Sequence, residues 1–413
     1  MMPADHVPPI RHANRRIRLA YLVSHPIQYQ APLLRRIAQE PDIDLTVLFG
    51  SDFSVRGYTD AGFGVGVKWD IPLLDGYKYE LLPCLRDTGN ASFASPINRG
   101  IVSRLRGGPF DALWVHGYAS VNAMHGILAA HSLGIPVLLR AESWLGDRPR
   151  NPAKLALKHA LMQLLKDLIA AVLPIGTLNA QYWRHYFGDD VPQFPMPYAV
   201  DNAWFVQRAR EAHANRAALQ TELNLDPTRP VILFASKLQP RKHCDHLIAA
   251  YARLTLANSA EPHPYLVIVG DGEERAALEQ QAAATGLDSI RFCGFRNQSE
   301  LPYFFDLATV FVLPSRHEPW GLIVNEVMNA ARPAIVSSDA GCAPDLIADG
   351  INGFIFPAGD IDALAAALQR TLAPGVAAAM GQRAFERIQS WSFEQDIAGL
   401  RRALAHIAPE FIA

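Results

Sequence analysis

Long apolar segments are missing from this sequence, although half of its 413 residues are apolar. No run of about 18 residues lacks charges or helix breakers, so the sequence predicts no membrane-spanning helix. The basic residues near the N-terminus are not followed by an apolar core. A secretory signal needs such a core, and we therefore expect a disordered arm at residues 1–16.

Cysteine is scarce, and neither sign of charge dominates. The sequence contains four cysteines and no C-x-x-C pair, which argues against a zinc site and is typical of a reducing compartment. We therefore expect a cytoplasmic protein. The formal net charge of −2 gives no reason to expect a nucleic-acid partner.

The most informative stretch is residues 311–356. An apolar run at 310–313 predicts a buried strand, the polar residues 315–320 a loop, and Gly321 the start of a helix. Unpaired backbone N–H groups and partial positive charge at a helix start favour phosphate or another anion. The order of elements therefore predicts an anion site.

Two carboxylates flank this helix start. Glu318 lies in the loop, and Glu326 lies inside the helix, about one and a half turns beyond Gly321. Both side chains are therefore expected to reach one ligand placed over the helix start.

These residues resemble a known family. Glu318 and Glu326, with seven residues between them and Trp-Gly-Leu at 320–322, resemble the E-x7-E signature of retaining glycosyltransferases with the GT-B fold, the large fourth family in particular. The Asn-Gly-Phe at 352–354 also matches. The resemblance covers most of the second half of the chain and is looser in the first half.

The resemblance implies a fold as well. The expected protein is α/β, with two Rossmann-like doubly wound parallel-sheet domains that face each other across a cleft. The proline-rich connector at 194–201 indicates the boundary between them. We expect an N-terminal acceptor-binding domain at 17–200 and a C-terminal nucleotide-sugar-binding domain at 201–390. By analogy, a terminal helix at 391–413 crosses back to the first domain.

A basic loop follows the predicted strand that begins the second half. It contains Lys237 and Lys242-His243, where many relatives carry an arginine and a Lys-Gly pair. Lysine at 237 keeps the charge but lacks the two-pronged fork of arginine. Cations here would neutralise a diphosphate, and a solvated basic loop is the alternative. The resemblance assigns donor binding to Gly272, Gly294, Phe295, Trp320, Gly321, Leu322, Ile323 and Glu326, and catalysis to His116, Lys237, Lys242 and Glu318.

The first half departs from the family after its first strand, where many relatives have a glycine-rich turn. Here Ser24, His25 and Gln28 follow the strand, and we assign them to the acceptor side. A helix-capping role is the alternative for His25.

His116 stands at the carboxyl end of a later strand, where open parallel sheets bind ligands. In the family a histidine in this region lies beside the donor sugar, and a hydrogen-bonded histidine at a strand end is the alternative.

Two further segments have open interpretations. Residues 50–77 interleave glycines with aromatic residues, which predicts a long loop without regular structure, and we assign this loop to acceptor recognition. Its GFGVGVK has no predicted strand before it and no helix after it, so a dinucleotide fingerprint is rejected.

Residues 151–172 combine leucines with Lys154, Lys158 and Lys166. This segment either lies on an anionic membrane surface or packs on the sheet with solvated lysines, and nearby Asp167 and His159 favour the second.

Two D-x-D triplets, at 42–44 and 360–362, match a metal-binding pattern of many other glycosyltransferases. Asp360 suits the N-cap of the following helix, and Asp362 complements its dipole. Hard cations need more oxygen ligands than one triplet supplies. We therefore expect no metal and no other cofactor.

The function implied by the resemblance is transfer of a sugar from a UDP- or GDP-sugar to a glycan, lipid-linked or small-molecule acceptor, with retention of configuration. Cell-surface polysaccharide or glycoconjugate biosynthesis is the expected context. Lys237, Lys242 and the amides at 321–322 would stabilise the departing diphosphate, Glu326 would bind the ribose, and Glu318 the donor sugar. The alternatives are a nucleotide-sugar epimerase, a phosphorylase with pyridoxal phosphate, and a degenerate GT-B scaffold that only binds a partner.

Overall fold

The computed structural model describes residues 16–60, 62, 64–257 and 263–409. The predicted N-terminal arm lies outside these residues except for Arg16. The chain forms two compact units, each assembled from separated segments. Unit 1 contains the described residues of 16–58, 71–200 and 392–409, and unit 2 contains those of 59–70 and 201–391.

The strands, in chain order, are β1 (Ile17–Val23), β2 (Ile43–Phe49), β3 (Tyr58–Asp60), β4 (Val65–Val67), β5 (Lys78–Leu81), β6 (Cys84–Arg86), β7 (Ile97–Asn98), β8 (Ala112–His116), β9 (Val137–Arg140), β10 (Ala171–Val172), β11 (Val231–Ala235), β12 (Tyr265–Val269), β13 (Ile290–Phe292), β14 (Val310–Leu313), β15 (Ala334–Ser337) and β16 (Gly353–Phe356). The helices are α1 (Ala31–Ala38), α2 (Phe53–Arg56), α3 (Ile101–Gly107), α4 (Val121–Ser132), α5 (Pro152–Lys166), α6 (Thr177–Phe187), α7 (Asn202–Ala214), α8 (Arg216–Glu222), α9 (Cys244–Ala257), α10 (Arg275–Ala284), α11 (Leu301–Leu307), α12 (Leu322–Met328), α13 (Ala343–Leu346), α14 (Ile361–Thr371), α15 (Val376–Gln389) and α16 (Phe393–Ile407), with a 3₁₀ turn at Pro240–Lys242.

Each unit contains one six-stranded sheet whose strand pairs are parallel. The order is β10-β9-β8-β1-β2-β5 in unit 1 and β13-β12-β11-β14-β15-β16 in unit 2. Strands such as β11 and β12 are apolar and buried along their whole length, as expected when helices cover both faces of a parallel sheet. The predicted pair of Rossmann-like parallel sheets is confirmed.

Several helices begin where the sequence supplies a side-chain cap. Ser120 accepts from the backbone N–H of Ala123 at the start of α4, and Asp360 accepts from that of Ala363 at the start of α14. Ser392 and Gln395 form a capping box that starts α16. This last helix belongs to unit 1, whereas α15, directly before it, belongs to unit 2.

One local prediction was wrong. The segment 50–77 contains α2, β3 and β4, so it is not a loop without regular structure, although Phe63 of its GFGVGVK lies outside the described residues. Among the helices of the described residues, none has both the length and the apolar character needed to cross a bilayer.

Candidate functional site

Both sheets reverse their strand order in the middle, between β1 and β8 in unit 1 and between β11 and β14 in unit 2. In open α/β sheets, ligands bind beyond the carboxyl ends of the strands at such a reversal. Each unit therefore has its own candidate site, formed by the loops after β1 and β8 in unit 1 and by those after β11 and β14 in unit 2. These loops carry most of the residues that the sequence singled out.

The loop after β14 is held by its neighbour after β15. The backbone N–H of Glu318 donates to Asp339 O at 3.0 Å, and that of Gly341 donates to Glu318 O at 3.0 Å. Ser337 donates from its hydroxyl to the carbonyl of buried Ser315. These bonds hold Glu318 in a defined place before α12 begins.

Gly321 makes the sharp turn into α12. Its φ is +97°, and a Cβ at this position would lie 2.7 Å from Leu313 Cδ2, so only glycine fits without strain. Trp320, predicted to bind the donor, is 3% exposed. Its indole donates to Asn325 Oδ1 at 2.9 Å and stacks on Trp391 at 5.7 Å. Through these contacts Trp320 stabilises the loop that precedes α12.

The loops after β11 and β14 meet through an ion pair. Lys242 Nζ donates to Glu318 Oε2, and Arg241 approaches the same oxygen at 3.4 Å. The side chains of Lys242 and Glu318 are each 9% exposed. Burial opposes ionisation of Glu318, but Lys242 and Arg241 outweigh it and lower the pKa of this carboxyl. Two catalytic candidates, 76 residues apart, thus form a buried, charged pair at the reversal.

Glu326 behaves differently from Glu318. It is 8% exposed, and burial raises its pKa to about 8, with no charged neighbour among the described residues contributing to the shift. A carboxyl with this pKa is mostly protonated at neutral pH. The two glutamates of the E-x7-E pair therefore differ in charge: Glu318 is ionised, and Glu326 is mostly neutral.

The other predicted donor residues lie in neighbouring loops. Leu238 N–H donates to Asp271 O at 2.9 Å, which joins the loops after β11 and β12. A Cβ on Gly272 would lie 2.4 Å from Leu238 O, so this close contact requires glycine. The remaining predicted residues are all partly exposed: Lys237 after β11, Gly294 and Phe295 after β13, and Leu322 and Ile323 in the first turn of α12.

Part of the segment assigned to acceptor recognition also lies in unit 2. A Cβ on Gly62 would be 2.6 Å from Lys237 Cδ, and Asn297 Nδ2 donates to Lys68 O at 2.7 Å. Gly62 therefore lies beside a residue that the sequence assigned to the donor.

In unit 1 the reversal brings the loops after β1 and β8 together. His116, at the end of β8, lies with its Nε2 3.0 Å from Gln30 Nε2. His25 Nδ1 lies 2.8 Å from the Ser24 hydroxyl, and the imidazole of His25 packs on Phe53. Burial and the charge of His116 lower the pKa of His25 to about 4, so His25 is neutral at physiological pH. Gln28, also assigned to the acceptor side, is partly exposed.

Sequence reasoning missed Glu142, which follows β9. Tyr29 donates to Glu142 Oε1 at 2.8 Å, Tyr198 donates to the same oxygen, and His116 Nε2 lies 3.6 Å away. Burial alone would raise the pKa of Glu142, but His116 and the two phenols lower it to about 2. The position of Glu142 at a strand's carboxyl end was the available signal, and its partners are distant in sequence.

Both D-x-D triplets have structural partners. Arg401 Nη2 lies 2.7 Å from Asp42, and Lys78 Nζ lies 2.7 Å from Asp44. Asp360 caps α14, and Asp362 pairs with Arg253. The first triplet thus forms two ion pairs, and the second forms a helix cap and an ion pair.

One group of described residues has ligand atoms close enough for a metal ion, all within 4.8 Å of one another: His243, Asp245 and His246. Arg241 and Lys242 directly precede this group, and Arg316 is near enough to lower the pKa of His246. This positive surrounding disfavours a cation.

Residues 215–387, all within unit 2, match the family described as glycosyl transferases group 1. The chain is 33% identical over 264 residues to an alpha-D-kanosaminyltransferase of Streptomyces kanamyceticus, an alignment that covers 60% of this chain and 64% of that protein, a little under two thirds. It is 24% identical over 326 residues to a D-inositol 3-phosphate glycosyltransferase of Salinispora arenicola, which covers 75% of this chain and 71% of that protein.

Solved structures are similar over nearly the whole chain. A sucrose-phosphate synthase from Thermosynechococcus elongatus superposes with a TM-score of 0.67 at 19% identity, covering 94% of this chain and 99% of that one. An Anabaena protein solved with UDP and glucose gives 0.67 at 18% identity, covering 94% and 100%. At such identities the likeness establishes the fold.

Proposed function

We propose that this chain, whose residues 215–387 match the glycosyl transferases group 1 family and whose fold is GT-B, transfers a sugar from a nucleoside diphosphate sugar to a hydroxyl group of an acceptor. The observation that carries this proposal is the buried pair of Lys242 and Glu318 at the strand reversal of unit 2. Its two partners come from the two loops that a ligand at this reversal would touch.

Lys242 is suited to the diphosphate because its carboxylate partner favours its charged form. Burial alone lowers the pKa of Lys242, and Glu318 opposes that shift. An ammonium has three N–H donors, so Lys242 can keep one for Glu318 and offer another to a phosphate oxygen. In the transfer, the bond between the sugar carbon and the phosphate oxygen breaks, and negative charge grows on the departing diphosphate. Lys242 and Lys237 would stabilise that charge from fixed positions, without the help of a metal ion.

Glu326 would bind the ribose hydroxyls of the nucleotide. A hydroxyl that donates to this carboxyl favours its ionised form, which burial disfavours in the absence of ligand. Glu318 would contact hydroxyls of the donor sugar. UDP is the favoured nucleotide because the similar Anabaena structure holds UDP and glucose.

The acceptor would bind to unit 1 at the loops after β1 and β8, where Ser24, His25 and Gln28 precede the Gln30–His116 contact. Glu142, held ionised by its neighbours, adds an acceptor for sugar hydroxyls. We propose a glycan, lipid-linked or small-molecule acceptor in cell-surface glycoconjugate synthesis, and retention of configuration by attack on the face from which the diphosphate leaves.

Thermal unfolding with a panel of UDP, GDP and their sugars tests this function. A nucleotide at about 100 times its dissociation constant should add about 2.7 kcal/mol to the stability of the parent protein. The shift should be much smaller in Lys242→Ala and unchanged in Lys78→Ala, which removes an exposed lysine paired with Asp44. Equal nucleotide-induced shifts in the parent and Lys242→Ala, or no shift with any nucleotide, would contradict the proposal.

A further inference from the structure

Helix α5 of unit 1 leaves most of its side chains in solvent. Met162 and Leu165 are its buried residues. Leu157 and Leu164 are each 73% exposed, and Leu161 is 41% exposed. Positions i, i+4 and i+7 fall on one face of a helix, so these three leucines form one apolar row.

A single exposed leucine is ordinary on a protein surface, but a row of three marks a contact surface. Residues 151–172 were expected either to pack on the sheet or to lie on a membrane surface, and this exposed row does not take part in packing within unit 1. Burial of Met162 and Leu165 attaches the helix to unit 1, and the leucine row points away from that contact.

The attachment of α5 is reinforced by Lys158. Its Nζ lies 4.5 Å from the ring centre of Tyr182 and 5.2 Å from that of Tyr186, both on α6. A cation over aromatic faces fixes one side of α5 against α6. The leucine row is therefore held in place on a folded unit.

The row also lies in a stretch of one charge sign. Residues 148–166 contain two arginines and three lysines, and no aspartate or glutamate. Arg150 pairs with Asp147, and Lys166 pairs with Asp190. Lys154 is exposed one turn before Leu157. Arg148 lies 3.8 Å from Asp147, but its side chain is 68% exposed.

We propose that helix α5 docks on the surface of a membrane that contains anionic lipids. The leucine row would enter the boundary between headgroups and acyl chains, and Lys154 and Arg148 would contact lipid phosphates. Fifteen residues at about 1.5 Å each give a helix of roughly 22 Å, which suits a position in the plane of the surface. This inference goes beyond the proposed function, because nucleotide binding by unit 2 does not require it.

A second copy of the chain fits this surface less well. In a two-fold contact the leucine rows would meet each other, and so would the basic residues around them. No acidic residue in 148–166 would compensate that repulsion. Anionic lipid supplies the missing charge.

Co-sedimentation of the full chain with vesicles tests the proposal. The parent should bind vesicles of equal parts phosphatidylglycerol and phosphatidylcholine, and bind pure phosphatidylcholine at least about tenfold more weakly. The double variant Leu157→Ser/Leu164→Ser should lose about tenfold or more in binding. Lys154→Glu should lose about tenfold on the anionic vesicles alone.

Leu256→Ser is the matched control, since Leu256 is 82% exposed on α9 of unit 2. It should bind vesicles like the parent, and every variant should keep its nucleotide-induced thermal shift, which shows that the fold and the proposed donor site are intact. A parent that binds no vesicles, or equal losses in the Leu256 and double variants, would overturn the proposal. So would a dimeric parent that the double variant turns monomeric, measured by light scattering, without vesicle binding by either.

Discussion

Gln30 and His116 meet side chain to side chain at the reversal of the first sheet, with their Nε2 atoms 3.0 Å apart. The Tyr21 hydroxyl donates to Gln30 Oε1 at 2.7 Å, so the amide nitrogen of Gln30 faces the imidazole. An amide nitrogen only donates, so in the neutral form of the ring Nε2 of His116 accepts this bond and Nδ1 carries the proton. His116 Nδ1 is buried and has no hydrogen-bond partner among the described residues. The contact thus presents one N–H to an oxygen of a ligand.

The first prediction concerns this tautomer. Gln30→Ala should lower kcat for sugar transfer by about tenfold, the value of one well-placed hydrogen bond, and leave the affinity for the nucleotide unchanged. Gln30→Glu should lower kcat further, because a carboxylate would draw the proton to Nε2. Gln382→Ala, at an exposed position of α15, is the control. Nitrogen NMR of the parent should show Nδ1–H, and a spectrum with Nε2–H would refute the assignment.

The second prediction concerns stability and the charge of Glu326. Its pKa is about 8 in the folded protein and about 4.5 when exposed, so the folded state holds the extra proton between these values. Stability attributable to this group should therefore fall as pH rises from about 4.5 to about 8, by a few kcal/mol, about 4 at most. Glu326→Gln should match the parent near pH 5 in urea unfolding and exceed it near pH 8.5. Glu273→Gln, at an exposed carboxyl, should show no such difference.

The third prediction is a release of protons on nucleotide binding. Ribose hydroxyls that donate to Glu326 favour its carboxylate, so binding of UDP at pH 7 should release up to about one proton. Calorimetric titration in two buffers of different ionisation enthalpy measures this number. Glu326→Gln should release correspondingly less, and identical proton release by the two proteins would show that Glu326 does not bind the ribose.

The fourth prediction concerns the attachment of the last helix. Asp396 on α16 and Arg140 at the end of β9 are 0% and 1% exposed, with Arg140 Nη2 3.3 Å from Asp396 Oδ1. Burial raises the pKa of Asp396 to about 7, against the opposing charge of Arg140. Asp396→Ala would leave Arg140 buried without a counter-charge, and should destabilise the protein by about 3–5 kcal/mol.

Asp396→Asn keeps a hydrogen-bonding oxygen and should cost less than Asp396→Ala in thermal or urea unfolding. Asp189→Ala, at a fully exposed side chain, is the control and should behave like the parent. If Asp396→Ala unfolded at the same midpoint as the parent, the buried pair would not contribute to stability.

Sequence reasoning predicted what local patterns determine. The apolar run of β14, the turn at Gly321 and the spacing of Glu318 and Glu326 all lie within 17 residues, and the structure places them as a strand, a loop and a helix start. The family resemblance that these residues carry likewise predicted both parallel sheets. Such features depend on neighbours in the chain, which a sequence shows directly.

Contacts between distant residues could not be predicted in this way. Glu318 meets Lys242 76 residues away, and Glu142 meets Tyr29 113 residues away. The charge state of Glu326 follows from its burial, which spacing does not report. Helix α5 shows the same limit, since its composition did not indicate which of its leucines are buried and which are exposed.

The packing of α16 in unit 1 determines which fragments of this protein can fold on their own. Ile397, Leu400 and Leu404 are at most 2% exposed, and a Cβ on Gly399 would lie 1.9 Å from Pro195 O, so this helix is built tightly into the first unit. A fragment that stops at residue 200 would leave the partners of these side chains uncovered and should aggregate. A permuted fragment that joins 392–409 to the amino end of the first unit through a flexible linker should fold on its own, because α16 can then cover the core of unit 1.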